Sequence, residues 1–188
     1  LATLTTNNVI SYSTTASSGG NIIDNGGSTL SARGVVWNTT GAWSYYDHDE
    51  GNNLVYGKLY NWYSTKGDTL CPVGWHVPND EDWTNLTSYL EGQNVAGVKM
   101  KSTGTAFWND PNTGATNESG FSALPGGYRY NAGVFFSIGY GAFFWSATAS
   151  GIYDFNASNC FLYVNGVTVN SGFQESKSNG ASVRCLKD

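Results

Sequence analysis

The chain has 188 residues, a length that suits one sizeable domain, or one domain with a small appendage. Charged residues make up 12% and the net charge is −5, with nine Lys and Arg scattered along the chain. That pattern excludes a phosphate-tracking surface, so neither nucleic acid nor an anionic membrane surface is an expected partner.

Hydrophobic residues reach 40%, enough for a packed core, and aromatic residues 15% beside 24 Gly, which points to a loop-rich, β-rich chain. No run approaches the ~20 apolar residues that a membrane-spanning helix needs, so membrane insertion is not expected. The chain opens at Leu1 without Met or a signal-peptide pattern, as expected of a mature or trimmed form. Low charge with much Asn, Ser, Thr and Gly suits a protein exported from the cell.

Residues 1–40 read as about three strands and their turns. Asn8 to Thr15 alternates loosely, Ser18-Gly19-Gly20 and Asp24-Asn25-Gly26-Gly27 are turn signals, and Leu30 to Trp37 is an apolar run. So few strands do not make a stable sandwich alone. They either join the main domain or pair with another chain.

Residues 41–53 read as a linker or loop. The Asp47-His48-Asp49-Glu50-Gly51 stretch is rich in oxygen ligands, but a calcium loop starting at Asp47 needs an acid where Lys58 stands. A solvated turn is the expectation. Leu54 to Ser64 carries Val55, Leu59, Trp62 and Tyr63 on one helical face.

Cys71 to Pro78 reads as a turn and a short strand. Asn79 or Asp80 then caps a helix with acidic residues in its first turn, with Trp83, Leu86, Thr87 and Leu90 as its buried stripe and Gly92 as its stop. From Gly97 onward no strong helix is expected. Candidate strands there are Phe143–Thr148, Cys160–Val164, Thr168–Asn170 and Ser182–Leu186. The order is α+β, with helices segregated from an antiparallel sheet.

Three cysteines allow one bridge and one free thiol. A Cys71–Cys185 link would clip the C-terminal strand to the middle of the domain and close a loop of about 115 residues, worth about 2–5 kcal/mol. The alternative is three buried, reduced thiols.

Several motifs resemble the Fibrobacter succinogenes major paralogous domain. They are Tyr56-Gly57-Lys58-Leu59-Tyr60-Asn61-Trp62-Tyr63, Cys71-Pro72-Val73-Gly74-Trp75-His76-Val77-Pro78 with Trp83, and Gly114 to Phe121. Leu124-Pro125-Gly126-Gly127-Tyr128-Arg129, Phe144-Trp145-Ser146 and Ser182-Val183-Arg184-Cys185-Leu186 complete the set. Together they span about residues 43–188, and we divide the chain into a β segment (1–40) and a main domain (41–188).

That family is similar to the formylglycine-generating-enzyme branch of the C-type lectin fold. The resemblance implies two helices, a small twisted antiparallel sheet and a long irregular C-terminal region that carries the binding surface. Tyr130 to Ser182, with only three charged residues (Asp154, Glu175, Lys177), also resembles the variable region of proteins diversified by retroelements. Residues 1–40 resemble half of an immunoglobulin-like repeat of bacterial surface proteins, and could mediate self-assembly into a filament by strand addition.

The functional expectation is a non-catalytic adhesion module displayed outside a bacterial cell. Phe135, Phe136, Tyr140, Phe143, Ile152, Tyr153, Phe155, Asn156, Asn159 and Phe161 are expected to line one largely exposed surface. Rings beside small polar residues give rigid contact area and adaptable hydrogen bonds. The ligand would be a protein or glycan on another cell. Trp145 is expected in the core.

No metal, cofactor or catalytic group is expected. His76, alone between Trp75 and Val77, reads as structural. A fibre subunit is the first alternative. An oxidase of the formylglycine-generating type is the second, and it needs Cys160 and Cys185 together as a reactive pair.

Overall fold

A computed structural model describes residues 40–67 and 70–188, with the backbone of Thr3–Thr5 and Asn21–Asp24. Those two short strands, β1 and β2, pair antiparallel with Leu4 opposite Ile22. The expected runs Asn8–Thr15 and Leu30–Trp37 lie outside the described residues.

The architecture is mixed α/β, with three α-helices and small sheets among the described residues. It differs from the two helices expected. Residues 41–53 are not a plain loop: they hold strand β3 (Trp43–Ser44), a 3-10 turn (Tyr46–His48) and the start of helix α1 (Glu50–Tyr56). Asp49 begins α1 by accepting a hydrogen bond from the Gly51 N–H at 2.8 Å, so this acidic stretch caps a helix. Gly57, at φ +78°, ends α1 well before Ser64. Beyond it the chain forms β4 (Leu59–Tyr60), paired to β3, and a second 3-10 turn (Trp62–Lys66). Leu59 and Trp62 are buried as expected, but on these elements rather than along one helix, and Val55 is exposed.

Strand β5 (Trp75–His76) leads to α2 (Asp80–Tyr89), which starts where the sequence placed it. Asn79 accepts from the backbone N–H groups of Glu81 and Asp82, and Asp82 accepts from the Asn79 N–H, a reciprocal capping box. Trp83, Thr87 and Leu90 are buried, with Leu86 packed beside them. Gly92 stops α2 but also precedes α3 (Gln93–Met100), a helix the sequence pattern did not reveal.

The C-terminal region is more regular than the resemblance implied. Strands β6 (Gly126–Arg129), β7 (Phe135–Ile138), β8 (Gly141–Ala149), β9 (Asn156–Tyr163) and β10 (Asn170–Ser176) form one sheet in the order β10-β9-β8-β6-β7. Every neighbouring pair is antiparallel except β6–β8, which is parallel through Gly127 and Ala142. Beyond that point the two strands diverge and residues 180–182 fill the gap. Gly180 exchanges backbone hydrogen bonds with Arg129, and Ser182 bonds Phe143 and Trp145. This wedge replaces the start of the expected Ser182–Leu186 strand, of which only β11 (Leu186–Lys187), paired with β5, is regular.

The sheet's inner face packs on α2 and α3. Trp83, Met100, Trp108, Phe144, Cys160 and Leu162 are the centre of this core. Removing such side chains from water, at about 25 cal/mol per Å², supplies most of the stability. Cys71 and Cys185 are joined as expected, across 114 residues. The bridge sits beside the β5–β11 pair and fastens the C-terminal end to the segment that leads into α2.

Candidate functional site

The outer face of the same sheet divides into a covered and an open half. Strand alternation puts Phe143 and Trp145 of β8, and Asn159 and Phe161 of β9, on this side. At the Trp145 end the 3-10 turn at Trp62 lies over the sheet. The Trp62 indole N–H donates to the Ser146 carbonyl at 2.9 Å, and the Trp145 indole N–H to the Tyr60 carbonyl at 2.6 Å. The Lys66 and Lys177 ammonium groups stand 4.1 and 4.5 Å from the centre of a Trp62 ring. Trp145 is completely buried as a result.

At the other end no such cover exists among the described residues, and rings cross the sheet strand by strand. Phe136 (β7) stacks on Tyr128 (β6) at 5.5 Å, Tyr128 meets Phe143 (β8) at 4.8 Å, and Phe143 stacks on Phe161 (β9) at 5.8 Å. Phe161 then meets Phe173 (β10) edge-on at 5.4 Å, and Tyr163 packs its edge against both Phe143 and Phe161. Directly opposed pairs, Tyr128 with Phe136 and Phe143 with Phe161, set the register of this ladder. Gly141 makes room for it: a Cβ there would come within 2.7 Å of the Phe143 ring. The ladder's ends are open to solvent, with Phe136, Tyr163 and Phe173 exposed by 42, 41 and 53%.

Of the residues expected on one surface, Phe136, Phe143 and Phe161 belong to this ladder. Phe143 is its buried centre rather than an exposed contact, because rings on both neighbouring strands cover it. Asn159 is also buried, enclosed between Trp145 and Phe173 across the strands. Phe135 points to the opposite face of β7, against Tyr46 and His48 at 5.1 and 5.0 Å, as alternation with Phe136 demands. Tyr140 is exposed in the β7–β8 turn.

Ile152, Tyr153 and Phe155 form a separate tip in the β8–β9 loop, all exposed, with Tyr153 and Phe155 stacked at 5.5 Å and Asn156 half-buried beside them. That loop is about 20 Å along the strands from Phe143, at about 3.3 Å per residue, so the expected surface is two patches rather than one. The sequence reading missed Tyr128, Tyr163 and Phe173. The Phe161–Tyr163 spacing of two was a signal for the second of these.

The electrostatic feature of the ladder is Glu175 on β10. Its carboxylate accepts from the Asn179 amide at 2.7 Å and the Ser176 N–H at 3.0 Å. Partial burial raises the pKa of both Tyr128 and Tyr163, and the nearby Glu175 charge raises each further, so both phenols stay neutral.

The other chemical candidates are accounted for structurally. Cys160 is fully buried; desolvation, with a smaller contribution from the Asp80 charge, pushes its thiol pKa up, and Cys185 is bonded to Cys71 rather than placed beside it. His76 bridges Asp188 at 2.6 Å and Asp82 at 3.3 Å. Among the described residues no three His, Cys, Asp or Glu are grouped to hold a metal ion, and no helix is long and apolar enough to cross a membrane.

The family model of the Fibrobacter succinogenes major domain matches residues 6–187. The chain belongs to that family. The match takes in most of the N-terminal β segment along with the main domain. No curated protein and no solved structure matches the chain. Within this Fibrobacter succinogenes major domain, the ring ladder is the largest run of mutually contacting aromatic side chains that reaches solvent among the described residues.

Proposed function

We propose that the chain is a non-catalytic ligand-binding and adhesion module displayed outside a bacterial cell, which holds a protein or glycan against the open half of its sheet. One observation carries this reading: Phe136, Tyr128, Phe143, Phe161 and Phe173 touch in series across five strands, with both ends exposed. A contiguous exposed apolar patch is a liability unless something binds it, and rigid rings lose little entropy on binding. The Cys71–Cys185 bridge suits an oxidising, extracellular setting.

The helices beside one loop-linked sheet are consistent with a C-type-lectin-like fold, and the low charge of Tyr130–Ser182 with a retroelement-diversified region. Both extend the family assignment and stand as part of this proposal. The fibre alternative rests on residues 1–40, most of which lie outside the described residues, and the oxidase alternative on a cysteine pair that the disulfide has separated.

The test compares the native chain with a Phe136→Ala, Tyr163→Ala, Phe173→Ala triple variant on a glycan array and a panel of bacterial and host surface proteins. A ligand bound by the native chain and lost, by about 10-fold or more, in the folded variant supports the reading. Undiminished binding by the variant sinks it. A second variant altered at Ile152, Tyr153 and Phe155 tells the ladder from the loop tip.

A further inference from the structure

The ladder is not uniformly apolar. Glu175 lies on the same face of β10 as Phe173, two positions along the strand, and its charge acts on the Tyr128 and Tyr163 phenols across the sheet. Among the described residues no Lys, Arg or His comes within ion-pair distance of this carboxylate, although Lys99 and His76 each find acidic partners elsewhere. Its hydrogen bonds from Asn179 and Ser176 hold it in place without neutralising it.

A fixed, half-buried negative charge beside ring faces is the arrangement that attracts a cation. The ring quadrupole and the carboxylate act with the same sign on it. The chain already uses this chemistry on the covered half, where Lys66 and Lys177 both approach Trp62. The net charge of −5 draws cationic partners from a distance as well.

We infer that the open ring face takes a basic side chain, Arg foremost, presented by a partner protein, with the guanidinium stacked over the Phe161–Phe173–Tyr163 end of the ladder and paired with Glu175. Arg fits better than Lys because its planar group can stack on a ring and hydrogen-bond a carboxylate at once. The inference rests on the ring-face reading above and narrows it from protein or glycan to a protein with an exposed cationic anchor.

The experiment uses the whole chain and an acetyl-Gly-Arg-Gly-amide tripeptide as probe. The neutral control is the same peptide with citrulline in place of arginine, and cellotriose and galactose stand for glycans. Aromatic ring resonances are followed by NMR. The arginine peptide is expected to shift the Tyr163, Phe161 and Phe173 signals saturably, about 5–10-fold more tightly than the citrulline peptide. Raising NaCl from low to molar concentration should erase most of that difference.

Glu175→Gln keeps an acceptor for Asn179 while removing the charge, and should bring the arginine peptide down to the citrulline affinity. An unchanged thermal midpoint shows that the variant is folded; should it not fold, the salt series and the citrulline comparison on the native chain decide alone. Equal shifts from arginine and citrulline, or arginine shifts confined to other carboxylates, overturn the inference. Ring shifts from a saccharide without any from arginine overturn it and leave the ring-face reading standing. No ring shift from any probe, with ligand binding unaffected by the ladder triple variant, overturns both.

Discussion

Asp80, the first residue of α2, accepts a hydrogen bond from the Ser158 hydroxyl of β9 at 2.8 Å, across 78 residues of chain. Its second carboxylate oxygen accepts from Ser146 of β8, and its backbone N–H donates to Thr148. One carboxylate thus fastens the start of a helix to the two central strands. Both serine hydroxyl groups belong to almost fully buried residues. Asp80→Ala should cost about 2–4 kcal/mol, since it removes charge-assisted hydrogen bonds and leaves buried donors unpaired. Urea denaturation measures the loss. In a double-mutant cycle with Ser158→Ala, the two effects should fall short of additivity by about 1 kcal/mol or more.

A cation plays the equivalent role on the other side of the core. Lys101 is fully buried, and its ammonium donates to the carbonyl groups of Thr113, Tyr163, Val164 and Gly166 at 2.9–3.3 Å. Burial pushes its pKa down to about 8, which still leaves it mostly charged at neutral pH. Lys101→Met fills similar volume but strips the Thr113 and Gly166 carbonyls of the ammonium, while those of Val164 and Tyr163 keep the backbone N–H groups of Thr113 and Gly166 as donors. A loss of about 3–5 kcal/mol is expected, read as a lower urea midpoint at unchanged slope.

The ladder offers a test of which rings are core. Phe143→Ala should cost about 3–5 kcal/mol, as for a buried Phe, because the ring is 8% exposed and touched on both sides. Phe136→Ala and Phe173→Ala, at 42 and 53% exposure, should each cost about 1 kcal/mol or less. Thermal denaturation separates the two classes. Comparable losses at all three positions would mean that the ends of the ladder are buried in solution.

The two histidines should titrate on opposite sides of their ordinary value. The hydrogen bond to Asp188, with further help from Asp82, raises His76 above 6.5, whereas burial and then the Arg129 charge lower His48 below it. The His76 contribution to stability is therefore complete below pH 6.5 and is lost as pH rises through the raised value. The His48 contribution has the opposite sense: present above 6.5, lost as pH falls through the lowered value. NMR titration of the ring protons reads both, and Asp188→Asn should bring His76 back toward 6.5.

Local signals made some of this architecture legible. The Asn79 cap, three consecutive acids and a four-residue stripe specified α2, and an odd cysteine count, with Cys185 near the C-terminal end and Cys71 towards the middle of the domain, left room for the bridge. Helix α3 was hidden because Gly92 reads as a stop, yet here it separates two helices, and Val95 and Gly97 are weak helix formers. Lys101 resembles a surface residue until the carbonyls of a distant loop converge on it. The ladder was only half visible for a related reason. Phe143 and Phe161 stand in obvious strands, but which ring faces which depends on the register between separate strands, and these two opposed rings are 18 positions apart in the chain. The parallel β6–β8 contact that brings Tyr128 beside Phe143 has no local signature.

Gly97 gives the sharpest case of packing against propensity. In the middle of α3, Ala would ordinarily stabilise the helix by about 1 kcal/mol. A Cβ at this position would lie 2.5 Å from the Thr168 carbonyl oxygen and 2.7 Å from that of Val167, both backbone atoms of the loop that leads into β10. Neither can swing away as a side-chain tip could, and the Val169 N–H is already tied to the Gln93 carbonyl at 2.8 Å. The steric cost therefore outweighs the gain, and Gly97→Ala should destabilise the protein by about 1–3 kcal/mol, the usual range for overpacking. A higher thermal midpoint in this variant would show that α3 does not press against the 167–168 backbone so closely.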